Sequence, residues 1–342
     1  MDRLRLAEDL LAALGSADIA YVHWKSNEHL DASLRGETDL DLLIRPADEG
    51  DLDSVARRLR FVSMVTPRER RVPGAEARLG CDPETGSLLH LDVAYQLHVG
   101  ERLLKNHTLP VEDWLLAEPV SLYDVPTPAP EKELIVLYIR SLLKIARRQL
   151  IRSRVRGDSP FPSRIRAEFR WVVERVDLSR LGEAVSASGL PVTESELRDF
   201  YERVEAGRLD LAYVRRQRRS VRRRLSRYER LPRYVSIPKK AWLRLRTTSL
   251  VTRLGFGIPS RTVAPRGAVV AVVGADGSGK SRLAQDLDQW LGAKLAVDHL
   301  YFGQPKSGFL FKVLNKPGSL ARRGGGRGLA RIARYTDPLK WM

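Results

Sequence analysis

The sequence predicts a multidomain chain of mixed α/β and α+β class, and three observations predict it. Residues 1–128 alternate short β-like runs with helical patterns. Residues 129–254 carry helical apolar spacing with almost no β-like alternation. From residue 267 an apolar run, a glycine-rich loop and a helical pattern follow one another, and the Gly/Pro-bearing stretch 255–266 reads as the linker before them.

Each element can be justified in order. Leu4, Ala7, Leu10, Leu11 and Leu14 share one stripe of a first helix. The runs IAYVHW (19–24), LDLLI (40–44), FVSMV (61–65) and SLLHLDVAY (87–95) read as strands. A helical stretch over 48–60 separates the second from the third, and DPETG (82–86) is a turn before the fourth. The segment VPTPAPEKEL (125–134) marks a boundary. Pro130 suits the first turn of the helix that follows, and Glu131 and Glu133 suit its positive end. Leu134, Leu137, Leu142, Leu143 and Ile145 are expected on its apolar face, with the arginines of the middle region in solvent. Breaks at 157–162, 189–191 and 231–232 divide that region into several helices.

Composition narrows the function classes. The chain has 342 residues with 59 Lys+Arg against 42 Asp+Glu, a net charge of +17, and 43% hydrophobic residues, which excludes an intrinsically disordered chain. No apolar run approaches the ~20 residues of a membrane-spanning helix. The opening MDRLRLAEDLLAALG interleaves charges with its leucines, unlike a signal peptide, so a cytoplasmic protein without a membrane span is expected. Cys81 stands alone and has no partner at metal-ligand spacing. The tract Arg215–Arg224 holds seven arginines in ten residues, which suits weak, salt-dependent contact with a polyanion and equally a solvated helix face.

The loop Gly274-Ala275-Asp276-Gly277-Ser278-Gly279-Lys280-Ser281 fits G-x-x-x-x-G-K-[ST] in full. Ala268–Val273 before it reads as a strand, and Leu283, Leu287 and Leu291 after it read as a helix. Its glycines let backbone N–H groups wrap a phosphate, Lys280 would reach the β- and γ-phosphates, and Ser281 would place its hydroxyl on Mg²⁺. The predicted ligand is ATP or GTP. With Asp276 inside the loop, the segment resembles the thymidylate-kinase-like branch of P-loop nucleotide kinases. That resemblance implies a dTMP-kinase-like phosphotransferase, with Asp276 near the nucleoside sugar. Residues 267–342 number only 76, whereas a complete doubly wound domain of this kind takes about 200. No Walker B strand or Arg-rich lid is evident. The kinase-like domain is therefore expected to be incomplete, the chain truncated, and turnover poor.

A second constellation lies near the N-terminus. Asp39 and Asp41 stand at i and i+2, so on a strand they project from one face, and Asp92 is the natural third carboxylate from a neighbouring strand. Such a set can hold Mg²⁺ ions that activate a hydroxyl and steady a leaving pyrophosphate. His90 shares the strand face of Asp92 and could line the same cleft. With Ser26 thirteen positions ahead of Asp39, the pattern resembles the nucleotidyltransferase superfamily, although Lys25 stands where that family has Gly. The combination resembles a group of bacterial thymidylate-kinase-like proteins with a nucleotidyltransferase-like front. The resemblance implies a nucleotide-binding phosphotransferase. Two alternatives are a Mg²⁺-dependent nucleotidyltransferase acting through Asp39, Asp41 and Asp92, and a non-catalytic nucleotide-sensing scaffold with a polyanion-binding middle.

Overall fold

A computed structural model describes residues 2–248, 251, 262–263, 269–275, 277–292, 294–295 and 297. The chain divides into two units, 1–296 and 297–342. All that follows concerns the first unit. Asp276, most of the 255–266 linker and the stretch 298–342 lie outside the described residues.

The mixed α/β class holds. A six-stranded sheet runs in the order β1-β2-β5-β4-β3-β10, with β1 Tyr21–His23, β2 Leu40–Ile44, β3 Val62–Val65, β4 Ala75–Cys81, β5 Leu88–Ala94 and β10 Thr262–Val263. Strands β2 and β5 are parallel, and the other neighbours in this sheet are antiparallel. The four predicted runs each contain a strand, but β4 was not visible in the pattern. It carries the charged residues Glu76 and Arg78. In the fold Arg78 is 3% exposed, bonded to Glu76 at 2.8 Å and to Asp53, while Tyr95 donates to Glu76 at 2.6 Å. Mutual pairing makes those polar groups tolerable inside.

Alternation along β2 decides the layers. Leu40, Leu42 and Ile44 pack with α1 (Arg5–Ser16), α2 (Leu30–Leu34) and α3 (Glu49–Arg58) in one core. Leu43 and Val22 join a second core with the helical region. The residues of odd number on β2 thus face the helical middle region, which sets the side on which Asp39 and Asp41 lie. Helix α1 approaches β4 closely: a Cβ on Gly80 would meet Leu6 at 2.5 Å and Phe61 at 2.8 Å. Its first turn is tied down by Asp82, whose carboxylate accepts from the Leu6 amide at 2.8 Å and from the Thr85 amide at 2.9 Å. One side chain therefore caps the helix and closes the DPETG turn.

Two short hairpins follow, β6 Leu97–Val99 with β7 His107–Leu109 and β8 Val120–Leu122 with β9 Val125–Thr127, separated by α4 (Glu112–Leu116). The helical middle is α5 (Pro130–Lys144), α6 (Arg147–Arg156), α7 (Ser163–Val173), α8 (Leu181–Ser188), α9 (Glu194–Glu205), α10 (Leu211–Arg224) and α11 (Arg233–Arg246). Helix α5 begins at Pro130 as expected and is buried on nearly every side, with Leu134, Leu137, Leu142, Leu143 and Ile145 all in the core. Glu131 and Glu133 lie in the first turn, at the positive end of the helix as expected, and are buried there at 3% and 4% exposure. Glu131 accepts from the Asp177 amide at 2.7 Å, and Lys132 donates to the carbonyls of Trp114 and Ala117.

The arginines of the middle region are not uniformly in solvent. On α10, Arg216, Arg219 and Arg223 are exposed, but Arg224 donates to both oxygens of Glu196 at 2.7 and 2.6 Å. Arg140 is paired with the buried Glu168. A helix packed through Tyr213, Val214 and Val221 turns part of its circumference inward, whatever its charge. Finally α12 (Lys280–Gly292) follows the glycine-rich loop as expected. The apolar run before that loop does not form the expected strand over its described residues 269–273. Val269, Val270 and Val273 are 96%, 66% and 86% exposed, and no described strand lies beside them to supply a ladder.

Candidate functional site

Parallel pairing brings the acidic residues together. Leu40 pairs with Leu91 and Asp41 with Asp92, so the side chains of Asp41 and Asp92 leave the sheet on the same face. Asp39 lies one residue ahead of β2, beside His90 on β5. His90 Nδ1 is 2.8 Å from the Asp39 carboxylate and Nε2 is 3.8 Å from that of Asp92. One ligand atom from each of Asp39, His90 and Asp92 lies within 4.8 Å of the others. Two ligands on opposite sides of a divalent ion at ~2.1 Å stand about 4.2 Å apart, so the three residues fit a single cation with modest closure. The oxygen donors suit Mg²⁺, and the imidazole widens the choice to Mn²⁺ or Zn²⁺.

The set differs from the expected one at one position. The Asp41 carboxylate accepts a hydrogen bond from Lys25, and His90 takes its place in the ligating group. The reason is local. Asp41 is 7% exposed, and a buried carboxylate requires a partner. Lys25, at the end of β1, is the nearest cation and also lies 5.7 Å from the Trp24 ring centre. The missing glycine at position 25 is no obstacle, because the left-handed residue is Ser26, with φ 57° and ψ 43°. A non-glycine residue held there stores on the order of 1 kcal/mol of strain at the rim of the site.

A cavity of about 420 Å³ opens beside this cluster, between the head of β2 and helices α5 and α7. Lys25, Arg140, Lys144, Arg164 and Lys294 supply its cations, and Glu37, Asp39, Asp41 and Glu168 its acids, Glu168 being the partner of Arg140. Lys294, just past α12, places its ammonium 3.2 Å from Asp39. Burial would raise the Asp39 pKa, but His90 and Lys294 outweigh it and hold the carboxyl well below the usual range. The acid is therefore ionised and ready to ligate at any ordinary pH.

On α5, Glu133 is pushed up to about 7 by its burial, against the pull of Asn27, Arg175 and Arg140. His23, 1% exposed and bonded to Asn27, is lowered by burial and stays neutral. Sequence reasoning missed Arg140, Lys144, Arg164 and Lys294. Only Arg140 carried a signal, as the lone charge inside the apolar stretch LIVLYIRSLL. The others are inconspicuous among 59 basic residues.

The glycine-rich loop is exposed at each described position except Lys280, which is half-buried. Gly277 and Gly279 have φ of 80° and 82°, the left-handed conformation that turns successive amides to one side. Ser278 N donates to the Ala275 carbonyl at 3.2 Å, and the Lys280 ammonium reaches the same carbonyl. Ser281 lies in the first turn of α12. Comparison of the chain with protein-family models, curated proteins and solved structures finds no match.

Proposed function

We propose that the front site catalyses metal-assisted transfer of a nucleotidyl or phosphoryl group from a nucleoside triphosphate. The observation that carries this reading is that Asp39, clustered with His90 and Asp92, also lines a cavity that holds five cations. Carboxylates ligate a divalent ion, and lysine and arginine receive phosphate oxygens. A bound divalent ion there would polarise a phosphoryl oxygen and offset charge on the leaving group. Asp39, His90 and Asp92 would hold the ion, and Lys25 pairs with Asp41 beside them. Arg140 and Arg164 fix the polyphosphate from the helical side. The mixed sheet with parallel β2 and β5 is compatible with a nucleotidyltransferase-like front domain, which is part of the proposal. Incubation of the purified chain with ATP or GTP and Mg²⁺ or Mn²⁺ should give self-labelling from the α-³²P nucleotide with pyrophosphate release if a nucleotidyl group moves, or self-labelling from the γ-³²P nucleotide with nucleoside diphosphate release if a phosphoryl group moves. Both should be lost in Asp39→Asn and Asp92→Asn. Unchanged release in those variants would remove the reading.

A second reading rests on a different observation. The left-handed Gly277 and Gly279 at the head of α12 support nucleotide binding at 274–281, with Mg²⁺ on Ser281, in the manner of a thymidylate-kinase-like protein. Binding of a fluorescent ATP analogue, weakened by Lys280→Ala but not by Asp39→Asn, would test it separately.

A further inference from the structure

Helix α11 turns its apolar side outward. Leu243 is its one buried residue. Tyr234, Ile237 and Leu245 are 80%, 64% and 60% exposed, and Trp242 is 42% exposed. With Pro238 and Ala241 they fall at 234, 237, 238, 241, 242 and 245, the i, i+3, i+4 spacing of a continuous helical stripe. At 100° per residue, Arg233 and Arg244 flank the stripe on one side, and Lys239 and Arg246 on the other. The helix has five cations and no acid. It is also fixed in place. Asn106 exchanges hydrogen bonds with Leu231 at 2.9 and 3.1 Å, and Glu101 pairs with Lys240 and, at 3.2 Å, with Arg244. The stripe is thus held outward by the rest of the fold.

We infer that α11 is an interfacial anchor that lays its apolar stripe into the surface of an anionic phospholipid bilayer. Charge complementarity chooses this occupant. Cations on both flanks of an apolar stripe match lipid phosphates around an acyl surface, and the net charge of +17 adds long-range attraction. Trp242 and Tyr234 are the side chains that settle at a headgroup boundary. No described helix is long and apolar enough to cross a membrane, so the association lies in the plane of the surface.

The test is co-sedimentation of the full chain with vesicles of phosphatidylcholine alone and of phosphatidylcholine mixed with phosphatidylglycerol. The chain should bind the mixed vesicles and not the neutral ones. Trp242→Ser with Leu245→Ser should weaken that binding about tenfold or more. Arg233→Glu with Lys239→Glu should weaken it comparably. All four side chains are exposed, and circular dichroism and melting temperature should be unchanged. Undiminished binding by the Trp242/Leu245 variant would overturn the inference in favour of attraction by net charge alone. Binding to heparin or RNA but not to vesicles would overturn it in favour of a soluble polyanion. A concentration-dependent dimer in sedimentation velocity, abolished by the same apolar substitutions and without vesicle binding, would assign the stripe to a second copy.

Discussion

Lys294 sets its ammonium 3.2 Å from the Asp39 carboxylate across 255 residues of sequence, and His90 meets the same oxygen at 2.8 Å. The anchor of this contact is the end of α12, where Trp290 donates to the Gly86 carbonyl at 2.8 Å and Leu295 packs with Met64, Ala77 and Leu79. A lysine on the oxygen that would ligate a divalent cation competes with it. Lys294→Ala should therefore tighten Mn²⁺ binding by about tenfold, since one exposed-to-partly-buried charge at this range is worth on the order of 1–2 kcal/mol. Asp39→Asn should weaken it by ~10²-fold. Titration followed by Mn²⁺ paramagnetic resonance reads both. Weaker binding in Lys294→Ala would mean that the lysine supports the site rather than occupying it.

Asp82 should matter more to stability than any residue of the site. It is 1% exposed and accepts from the amides of Leu6, Glu84 and Thr85 and from the Thr85 hydroxyl. Asp82→Ala leaves those donors unsatisfied and uncaps α1, at a cost of roughly 2–4 kcal/mol. Asp82→Asn, which keeps an acceptor oxygen, should cost about half as much. Urea unfolding measures the difference, and a loss under about 0.5 kcal/mol for the alanine variant would contradict the capping role.

The contrast between these two sites shows what sequence could reveal. β2 was legible to the residue because LDLLI is apolar but for Asp41, and Asp39, Asp41 and Asp92 were legible because period-two alternation is a local rule. The role of Asp82 was hidden, since DPETG reads as a turn and nothing local says that its carboxylate reaches a helix 76 positions earlier. The exchange of Asp41 for His90 depended on which cation would stand beside the buried carboxylate. That is a tertiary fact. The expected strand before Gly274 failed for a related reason, because strand propensity needs a neighbour to pair with.

At the glycine-rich loop, Lys280 is bonded to the Ala275 carbonyl, and a nucleotide phosphate would have to draw the ammonium away. The charge-assisted contact to phosphate is the stronger one. Lys280→Ala should reduce affinity for ATP at least tenfold while shifting the melting temperature of the unliganded chain by no more than a surface substitution does. Equal ATP binding in wild type and variant, measured by calorimetry, would show that any nucleotide uptake belongs to the front site.

Glu133 gives the chain a pH dependence of the less common sign. Its ordinary value is 4.5, and burial raises it to about 7 in the fold. Between those values the folded state holds a proton that the unfolded state has released. Stability attributable to this group is complete below the unfolded pKa and is lost as pH rises through the folded one. A separation of this size corresponds to about 3 kcal/mol over the interval, since each unit is worth ~1.4 kcal/mol. Most buried carboxylates with cationic partners behave in the opposite way, and Asp39 does so here. Glu133→Gln keeps the shape of the neutral acid and removes its titration. The variant should match wild type near pH 5 and exceed it by on the order of 1–3 kcal/mol at pH 8. Denaturant melts of both proteins across this range decide it. Parallel stability curves would show that Glu133 stays charged in the fold, with Arg140 and Arg175 as its counter-ions.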